Sequence, residues 1–368
     1  MKILKNILLF LFSIFLMLVI SEWVIATLAH RGFFKMDYPS YSLQDSYKKY
    51  WGDINPYFGV WHPPYSSYHH LKSCFDVTYK SNSYGARDKE RSKESKLPRV
   101  LVVGDSFVEG YGLQEPARFS DILEKQTGIE HLNFATSGHF GPTQYYLLYK
   151  HLAKEFSHDM VIVMILPFND FFDDDPEFGK KVHFNRYRPY WVGEYPNYQL
   201  EYYRDQIEWE KFEAWQQFKK ILKNFSYTYN AVERLFEVKR LRAAMTEIPH
   251  FSGYYDYTDS QWNRMKFSLE KIVDEAKGKK VVFVSIPVPQ DYEDPKKHNS
   301  SIAGPLKSFA DSQGVLYVDL LDESLKRKMD WKAMFLACDN HWSEAGNRAA
   351  AEIVLEEIQK RYPNFYKP

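Results

Sequence analysis

The chain has 368 residues, which is enough for two average domains or for one α/β domain that carries an insertion. Its 48 Lys and Arg residues balance 48 Asp and Glu residues, so it lacks the basic surplus with which proteins bind nucleic acid regardless of sequence. Hydrophobic residues make up 45% and charged residues 26% of the chain, which excludes the composition of a disordered protein.

The N-terminal segment is apolar and long enough to cross a membrane. Residues 7–20 are apolar at almost every position, and the apolar character resumes at residues 23–29 after Glu22. A helix over residues 7–29 would rise about 34 Å at ~1.5 Å per residue, which matches the hydrocarbon thickness of a bilayer. The sequence therefore predicts a transmembrane helix.

Two interpretations of this segment remain open from the sequence. Lys2 and Lys5 fit the positive region of a cleaved signal peptide, but Thr27 and Ala29 form only a poor cleavage site. The same two lysines would hold the N-terminus of an uncleaved anchor in the cytoplasm. We favour an uncleaved anchor over residues 1–31, which places the rest of the chain outside the cytoplasm.

Residues 32–97 are rich in Tyr, Ser, Pro and His and show no sustained helical period. They predict an irregular arm with short strands, the clearest of which covers residues 75–79. The arm contains Cys74, and the other cysteine of the chain is Cys338. An oxidising compartment permits a disulfide between them, and two unpaired buried thiols are equally compatible with the sequence.

Between residues 98 and 361, short apolar runs alternate with helical patterns. The apolar runs predict strands at residues 99–103, 131–135, 160–167, 280–286 and 315–320. The longest helical patterns cover residues 142–156, 260–276, 302–312 and 343–361. This alternation predicts a three-layer αβα domain with a doubly wound parallel sheet, followed by a short tail at residues 362–368. Ligands of such sheets bind at the carboxyl ends of the strands.

The connection between the third and fourth predicted strands is much longer than a crossover requires. We predict that residues 171–257 form an inserted helical cap over the catalytic edge of the sheet. Apolar residues recur there at helical spacing, namely Phe212, Trp215, Phe218, Leu222 and Phe225. The insertion also holds an aromatic cluster, which we expect to pack the cap against the core or to rest at the membrane interface rather than to stack on sugar rings: Tyr187, Tyr190, Trp191, Tyr195, Tyr198, Tyr202 and Tyr203.

Four short polar motifs lie where the predicted strands end or the last helix begins. Ser106 follows the first strand in a Gly-Asp-Ser turn, Gly138 follows the second and Asn169 follows the third. Asp339 and His341 precede the last helix. Taken alone, the Gly-Asp-Ser turn could equally cap the next helix. Together, however, the motifs supply a serine, an imidazole to accept its proton and a carboxylate to orient that imidazole.

These motifs, in this order, resemble the four blocks of the SGNH (GDSL-like) hydrolase superfamily. The resemblance covers about residues 80–175 and 280–361. It implies that Ser106 is the nucleophile, that His341 is the general base and that Asp339 orients His341.

The same resemblance implies an oxyanion hole formed by the backbone N–H groups of Ser106 and Gly138 and by the side chain of Asn169. An amide is a neutral donor, so Asn169 can stabilise developing negative charge without titrating. No cofactor is implied.

Two blocks depart from the family pattern. Pro167 stands where the third block usually has Gly, but the donor in question is the Asn side chain. The last block is Asp-x-His instead of Asp-x-x-His, with Cys338 in the usual Asp position. The Asp-x-His-Trp form is similar to that of periplasmic alginate O-acetylation proteins, in which this block precedes the Ser block. This similarity favours acyl chemistry on an envelope polysaccharide.

No metal site is predicted from the sequence. The carboxylates between residues 170 and 177 lack the alternating spacing and the Gly of a calcium loop, so we expect a solvated acidic loop. His69 and His70 have no further ligands at a useful spacing and are expected to form a surface pair.

The leading hypothesis is a membrane-anchored serine ester hydrolase that forms an acyl-Ser106 intermediate and removes acetyl groups from an envelope glycan. Its partners would be an acylated small molecule or glycan and, through the N-terminal helix, the membrane, but not nucleic acid. An O-acetyltransferase would need the same triad and oxyanion hole and stays open as an alternative. A non-catalytic glycan-binding scaffold is a second alternative, which the presence of a Ser-His pair disfavours. The sequence makes no prediction about the oligomeric state.

Overall fold

The computed structural model describes residues 2–43, 50–182, 186–203, 214–247, 252–293 and 301–366. Within them the strands are β1 (Gly52–Asn55), β2 (Gly59–Trp61), β3 (Ser67–Lys72), β4 (Phe75–Lys80), β5 (Arg99–Gly104), β6 (Glu130–Ala135), β7 (Met160–Ile165), β8 (Arg188–Val192), β9 (Gln199–Tyr203), β10 (Lys280–Ser285) and β11 (Leu316–Asp319). The α-helices are α1 (Lys2–His30), α2 (Ser106–Glu109), α3 (Phe119–Thr127), α4 (Pro142–His151), α5 (Pro167–Asp173), α6 (Pro176–Val182), α7 (Ala214–Phe225), α8 (Tyr227–Glu247), α9 (Asp259–Glu275), α10 (Pro289–Glu293), α11 (Ala303–Ser312), α12 (Leu320–Lys326) and α13 (Glu344–Arg361). Short 3-10 helices cover Ala153–Glu155 and Trp331–Met334.

The central sheet contains five parallel strands in the order β11-β10-β7-β5-β6. All residues of β5 and β7 are buried, so both faces of the sheet are covered. Two helix pairs, α4 with α9 and α3 with α13, contribute to this cover. The predicted α/β fold with a doubly wound parallel sheet is confirmed, and each predicted strand corresponds to an observed one within two residues at either end.

The carboxyl ends of β5, β6 and β7 lie side by side because these strands are parallel and adjacent. Gly104 pairs with Ala135 where β5 and β6 end, and Val103 pairs with Val163 of β7. The loops that follow the three strands therefore start at the same edge of the sheet.

The arm contains two antiparallel hairpins, β1–β2 and β3–β4. β4 includes the strand predicted at residues 75–79. Immediately before it, Cys74 forms a disulfide with Cys338, which decides between the two alternatives that the sequence left open. The disulfide joins the arm to a loop of the α/β domain that is 264 residues away in the chain.

The arm also supports the turn that follows β5. Arg87 is fully buried, with its guanidinium carbon 4.0 Å from the ring centre of Tyr79. The same guanidinium donates hydrogen bonds to the backbone carbonyls of Glu109 and Gly110, at the end of α2. The arm therefore packs directly on the edge of the sheet at which the polar loops start.

The insertion at residues 171–257 is only partly helical, unlike the predicted helical cap. The strands β8 and β9 pair as an antiparallel hairpin before the helices α7 and α8. The difference arises because the aromatic cluster packs the hairpin on the core, with Tyr190 and Trp191 buried, which favours a strand over a helix. Phe212, which was part of the predicted helical pattern, lies outside the described residues.

α1 is a long apolar helix whose second half packs against α8. It is the helix of the described part of the chain that is long and apolar enough to cross a membrane, with a mean hydropathy of 2.6 over an 18-residue window. Near its end, Ala29 is buried in a small cluster with Tyr227 and Ala231 of α8. Glu22 accepts hydrogen bonds from the backbone N–H groups of Tyr227 and Thr228. The first turn of α8 is thus bound to α1.

Candidate active site

Ser106 lies at the turn where β5 meets the short helix α2. Asp105 caps this helix, because its carboxylate accepts a hydrogen bond from the backbone N–H of Phe107 over 3.0 Å. The helix ends at Gly110, whose φ of +84° lies in the left-handed region that glycine adopts without strain. An added Cβ at this position would lie 2.4 Å from Cγ of Arg118. This tight turn places the Ser106 hydroxyl at the carboxyl edge of the sheet.

His341 and Asp339 lie in a narrow loop just before α13. An antiparallel bridge between Phe335 and Trp342 closes this loop. The Ser106 hydroxyl donates to Nε2 of His341 over 2.7 Å, and Nδ1–H of His341 donates to Oδ1 of Asp339 over 2.5 Å. The backbone N–H of His341 also donates to this oxygen over 3.2 Å. The structure thus brings the three predicted side chains into one line of hydrogen bonds.

Lys72, at the end of β3 in the arm, extends this line. Its ammonium donates to Oδ2 of Asp339 over 2.6 Å, while Oδ1 accepts from His341. Burial raises the pKa of Asp339, but the contacts with His341 and Lys72 outweigh it and hold this pKa well below its usual range. Asp339 is therefore ionised at neutral pH. The sequence analysis missed Lys72 because it lies 267 residues from Asp339 and belongs to no motif.

Two aromatic rings enclose the imidazole of His341. The ring of Tyr111 is stacked on it, with centroids 4.2 Å apart and an angle of 23° between the planes. The ring of Phe107 lies at a centroid distance of 4.8 Å. These contacts limit the rotation of the imidazole and so help to keep Nε2 directed at Ser106. Tyr111 was also missed, since an aromatic residue after a helix carries no specific signal.

The predicted oxyanion-hole residues lie on the two neighbouring loops. Asn169 is in the first turn of α5, directly after β7, and lines the same cleft as His341. Burial raises the pKa of Asp105 to about 7, whereas the backbone N–H of Phe107 and the nearby Asn169 side chain act in the opposite direction. Gly138, on the loop after β6, has a φ of +105°, and an added Cβ would lie 3.0 Å from Val60.

A buried carboxylate ties the Gly138 loop to α2. Glu109, at the end of that helix, accepts hydrogen bonds from the backbone N–H of Ser137 and from the indole N–H of Trp51. It also pairs with Nε2 of His62 over 3.1 Å. Although burial raises the pKa of Glu109, the contacts with His62 and the other donors lower it to about 2. This network fixes the loop after β6 relative to the helix that begins at Ser106.

Asn169, Asp339 and His341 line a cleft with a volume of about 1190 Å³. Asn169 and His341 form one wall of this cleft, at the carboxyl edge of the sheet. A second wall is α8 of the insertion, and a third is formed by residues 35–37, which follow α1. The lining of the cleft combines apolar and charged side chains, and the charged ones are Lys35, Asp37, Lys72, Lys223, Glu233, Arg234, Glu237, Lys239, Arg240 and Asp339.

No family model and no curated protein sequence matches the chain. Similar solved structures include TesA, which is 13% identical and covers 71% of this chain and 98% of its own, with a TM-score of 0.40. A member of the lipolytic protein G-D-S-L family from Veillonella parvula is 14% identical and covers 70% of this chain and 96% of its own, with a TM-score of 0.35. A catalytic mutant of an acetylxylan esterase from Geobacillus stearothermophilus is 16% identical and covers 73% and 96%, with a TM-score of 0.37. Because these TM-scores are below 0.5, the function proposed below is based on the geometry of the site.

The acidic run after β7 is largely buried, so the prediction of a solvated loop was wrong. Asp170 accepts hydrogen bonds from the backbone N–H of Leu166 and from the hydroxyl of Tyr145. Asp174 accepts from the backbone N–H of Thr143, in the first turn of α4, and burial raises the pKa of Asp174 to about 7. These carboxylates satisfy backbone donors that the sequence pattern does not reveal.

The two adjacent histidines of the arm do not form a surface pair. His70 is buried, with Nε2 at 3.2 Å from Asp37 and Nδ1 at 3.1 Å from Tyr79. His69 pairs with Asp76 on the opposite face of the hairpin, because successive residues of a strand point to opposite sides. Within the described ranges, no group of three or more His, Cys, Asp or Glu side chains could hold a metal ion.

Proposed function

We propose that the protein is a serine ester hydrolase that works through an acyl-enzyme on Ser106. The observation that carries this proposal is the unbroken line of hydrogen bonds from Ser106 through His341 to Asp339, with lengths of 2.7 and 2.5 Å. Nε2 of His341 accepts the hydroxyl proton as Oγ attacks the ester carbonyl, and Asp339 stabilises the imidazolium that forms. His341 then protonates the leaving alkoxide, and water releases the acyl group from Ser106 in the second half of the reaction.

In this mechanism, negative charge develops on the carbonyl oxygen during both halves of the reaction. The backbone N–H groups of Ser106 and Gly138 and the side chain of Asn169 would hold it. The position of Asn169 in the cleft and the tie between α2 and the Gly138 loop support this assignment. Neutral, fixed donors of this kind stabilise the oxyanion without changing their own charge.

We also propose that the enzyme is anchored in a membrane by α1 and acts outside the cytoplasm. The disulfide between Cys74 and Cys338 supports an oxidising compartment. The contacts of Glu22 with the first turn of α8 support an uncleaved anchor, because cleavage after Ala29 would remove this carboxylate from the helix that it caps.

The proposed substrate is an acylated glycan of the cell envelope. At about 1190 Å³ the cleft is larger than most pockets for small molecules, which occupy roughly 300–1,000 Å³. The charged side chains interspersed in its lining suit a polymer with many hydroxyl groups better than a long acyl chain, which would need a continuous apolar channel.

Turnover of p-nitrophenyl acetate by the purified full-length protein tests the catalytic assignment. Ser106→Ala should abolish turnover, whereas Ser312→Ala, at the exposed end of α11, should leave it unchanged. Full turnover by Ser106→Ala would overturn the proposal. Addition of an oligosaccharide acceptor separates hydrolysis from transfer: acetylation of the sugar in excess of hydrolysis would make the enzyme an O-acetyltransferase that uses the same acyl-Ser106.

A further inference from the structure

Outside α1, most of the exposed large apolar side chains lie in the segment that follows α1 and in the consecutive helices α7 and α8. Among the described residues, fourteen large hydrophobic side chains outside α1 are exposed, and nine of these lie in residues 33–43 or in α7 and α8. Single exposed apolar residues are common on soluble proteins, whereas a cluster marks an interaction surface. We call this cluster the apolar surface; its members are Phe33, Tyr41, Leu43, Trp215, Phe218, Phe225, Val232, Leu235 and Phe236.

On α8, the apolar surface forms a stripe on one face of the helix. Val232, Leu235 and Phe236 are spaced three and four residues apart, so they share a face. Leu235 and Phe236 are 65% and 69% exposed. Phe236 also lines the cleft, together with Glu233 and Arg240. The apolar side chains of α8 therefore reach the mouth of the cleft.

The contacts of Glu22 set the height of α8 relative to a membrane spanned by α1. Lys5 and Glu22 flank the apolar run, and the helix between them rises about 26 Å at ~1.5 Å per residue, close to the ~30 Å thickness of the hydrocarbon. Glu22 binds the backbone of Tyr227 and Thr228. The first turn of α8 would thus lie at the boundary between hydrocarbon and headgroups, with Val232 one turn further along.

The helices α7 and α8 are also basic, although the whole chain has a formal net charge of +0. Residues 214–247 contain seven Lys and Arg residues and three Glu residues, which is an excess of four positive charges. Helices that lie in a membrane interface combine exposed apolar side chains with basic residues, because the latter are attracted to anionic headgroups. The two helices have both features.

We infer that the helices α7 and α8 dock on the outer surface of the bilayer, with the apolar surface at the boundary between headgroups and acyl chains, and that they hold the mouth of the cleft at the membrane. The occupant is the bilayer rather than a partner protein or a second copy, because Phe33 follows closely after α1 and the first turn of α8 is bound to Glu22 of α1. This inference rests on the proposed membrane anchor and adds a second contact to it. A substrate presented at the membrane surface would then have direct access to Ser106.

Fluorescence quenching in reconstituted vesicles tests this docking. Because both native cysteines form the disulfide, a single introduced cysteine is the one free thiol for an environment-sensitive label such as NBD. The informative site is Leu235→Cys. Leu16→Cys, within α1, reports on the anchor, and Leu97→Cys, exposed before β5 at the opposite edge of the sheet, is the matched control. The vesicles contain phosphatidylcholine and phosphatidylglycerol, with or without bromine on the acyl chains near the headgroups.

The inference predicts that brominated lipid reduces the fluorescence at Leu235→Cys and Leu16→Cys and leaves that at Leu97→Cys unchanged. Quenching at Leu16→Cys without quenching at Leu235→Cys would overturn the docking while the anchor stands. A label at Leu235→Cys whose emission is blue-shifted but not quenched would lie in an apolar environment without lipid. That result would overturn the docking on the bilayer in favour of a protein partner or a second copy. If neither site is quenched, the anchor and the docking fail together, and ester hydrolysis by the same vesicles reports separately on the catalytic assignment.

Discussion

The loops at the carboxyl edge of the sheet and the N-terminal arm meet at the same site but contribute different things. The loops carry Ser106 and His341, which are hydrogen-bonded to each other and to which we assign the acyl-transfer chemistry. The arm carries Lys72 and Cys74, which join it to the His341 loop. Lys72 forms an ion pair with Asp339, and Cys74 forms the disulfide with Cys338. Changes in the loops should therefore abolish turnover. Changes in the arm should instead alter the pH dependence of turnover and the stability of the fold.

The largest effect is expected from His341→Ala, which removes the proposed base. By analogy with other serine hydrolase triads, kcat should fall by about 10⁴- to 10⁶-fold, because the hydroxyl of Ser106 would no longer lose its proton to a neighbour. Steady-state hydrolysis of p-nitrophenyl acetate measures this loss. His69→Ala, a partly exposed histidine of the arm, is the control and should keep full activity. A His341→Ala variant with more than a tenth of the wild-type rate would contradict the assignment of the chemistry to the loops rather than to the arm.

The next largest effect is expected from Asn169→Ala, which removes one oxyanion donor. Loss of such a donor typically lowers kcat about 10²- to 10³-fold with little effect on KM, because the contact strengthens in the transition state. Asn340→Ala is a matched control, since Asn340 lines the same cleft and has no proposed role. Equal activity of the two variants would show that Asn169 is not part of the oxyanion hole.

Lys72→Met should change the pH dependence of turnover more than its maximum. Burial raises the pKa of Asp339, but the contacts with His341 and with the Lys72 cation outweigh it and hold this pKa well below its usual range. Without the Lys72 charge the pKa of Asp339 should rise, so protonation of Asp339 should move the acid limb of the kcat/KM profile to higher pH. Lys72→Arg keeps the charge and should restore the wild-type limb. An unchanged limb in Lys72→Met would contradict a positioning role for the arm.

The smallest effect on turnover is expected when Cys74 and Cys338 are both replaced by Ser. Lys72 still binds Asp339 in this variant, so kcat should fall only severalfold. The free energy of unfolding should fall by about 2–5 kcal/mol, since the disulfide no longer restricts the unfolded chain. Urea unfolding of the variant and the wild type measures this difference. Complete loss of turnover in a variant that still folds would show that the arm is needed for the chemistry itself.

The parts of the molecule that follow from local patterns were predictable from the sequence. The β-branched run before Gly104 indicated a buried strand, and its alternation with helical patterns indicated the parallel sheet. Once the strands were placed, the rule that ligands bind at their carboxyl ends put Ser106, Gly138 and Asn169 on neighbouring loops.

The contacts made by the arm could not be predicted, because each depends on residues that are distant in the chain and carry no periodic signal. Nothing around Lys72 or Glu109 distinguishes them from exposed charged residues until the fold brings Asp339 and His62 to them. The prediction that the acidic run is solvated was wrong for the same reason. Asp174 accepts a hydrogen bond from the backbone N–H of Thr143, and this contact becomes apparent only in the tertiary structure.

Covalent labelling with a fluorophosphonate tests the central claim most directly, because the reagent reacts with a serine hydroxyl only where a base activates it. Intact-mass measurement and peptide mapping of the wild-type protein should show one adduct per chain, located on Ser106, and His341→Ala should show none over the same time. An adduct on another residue, or equal labelling of Ser106 in the wild type and in His341→Ala, would contradict the proposed triad.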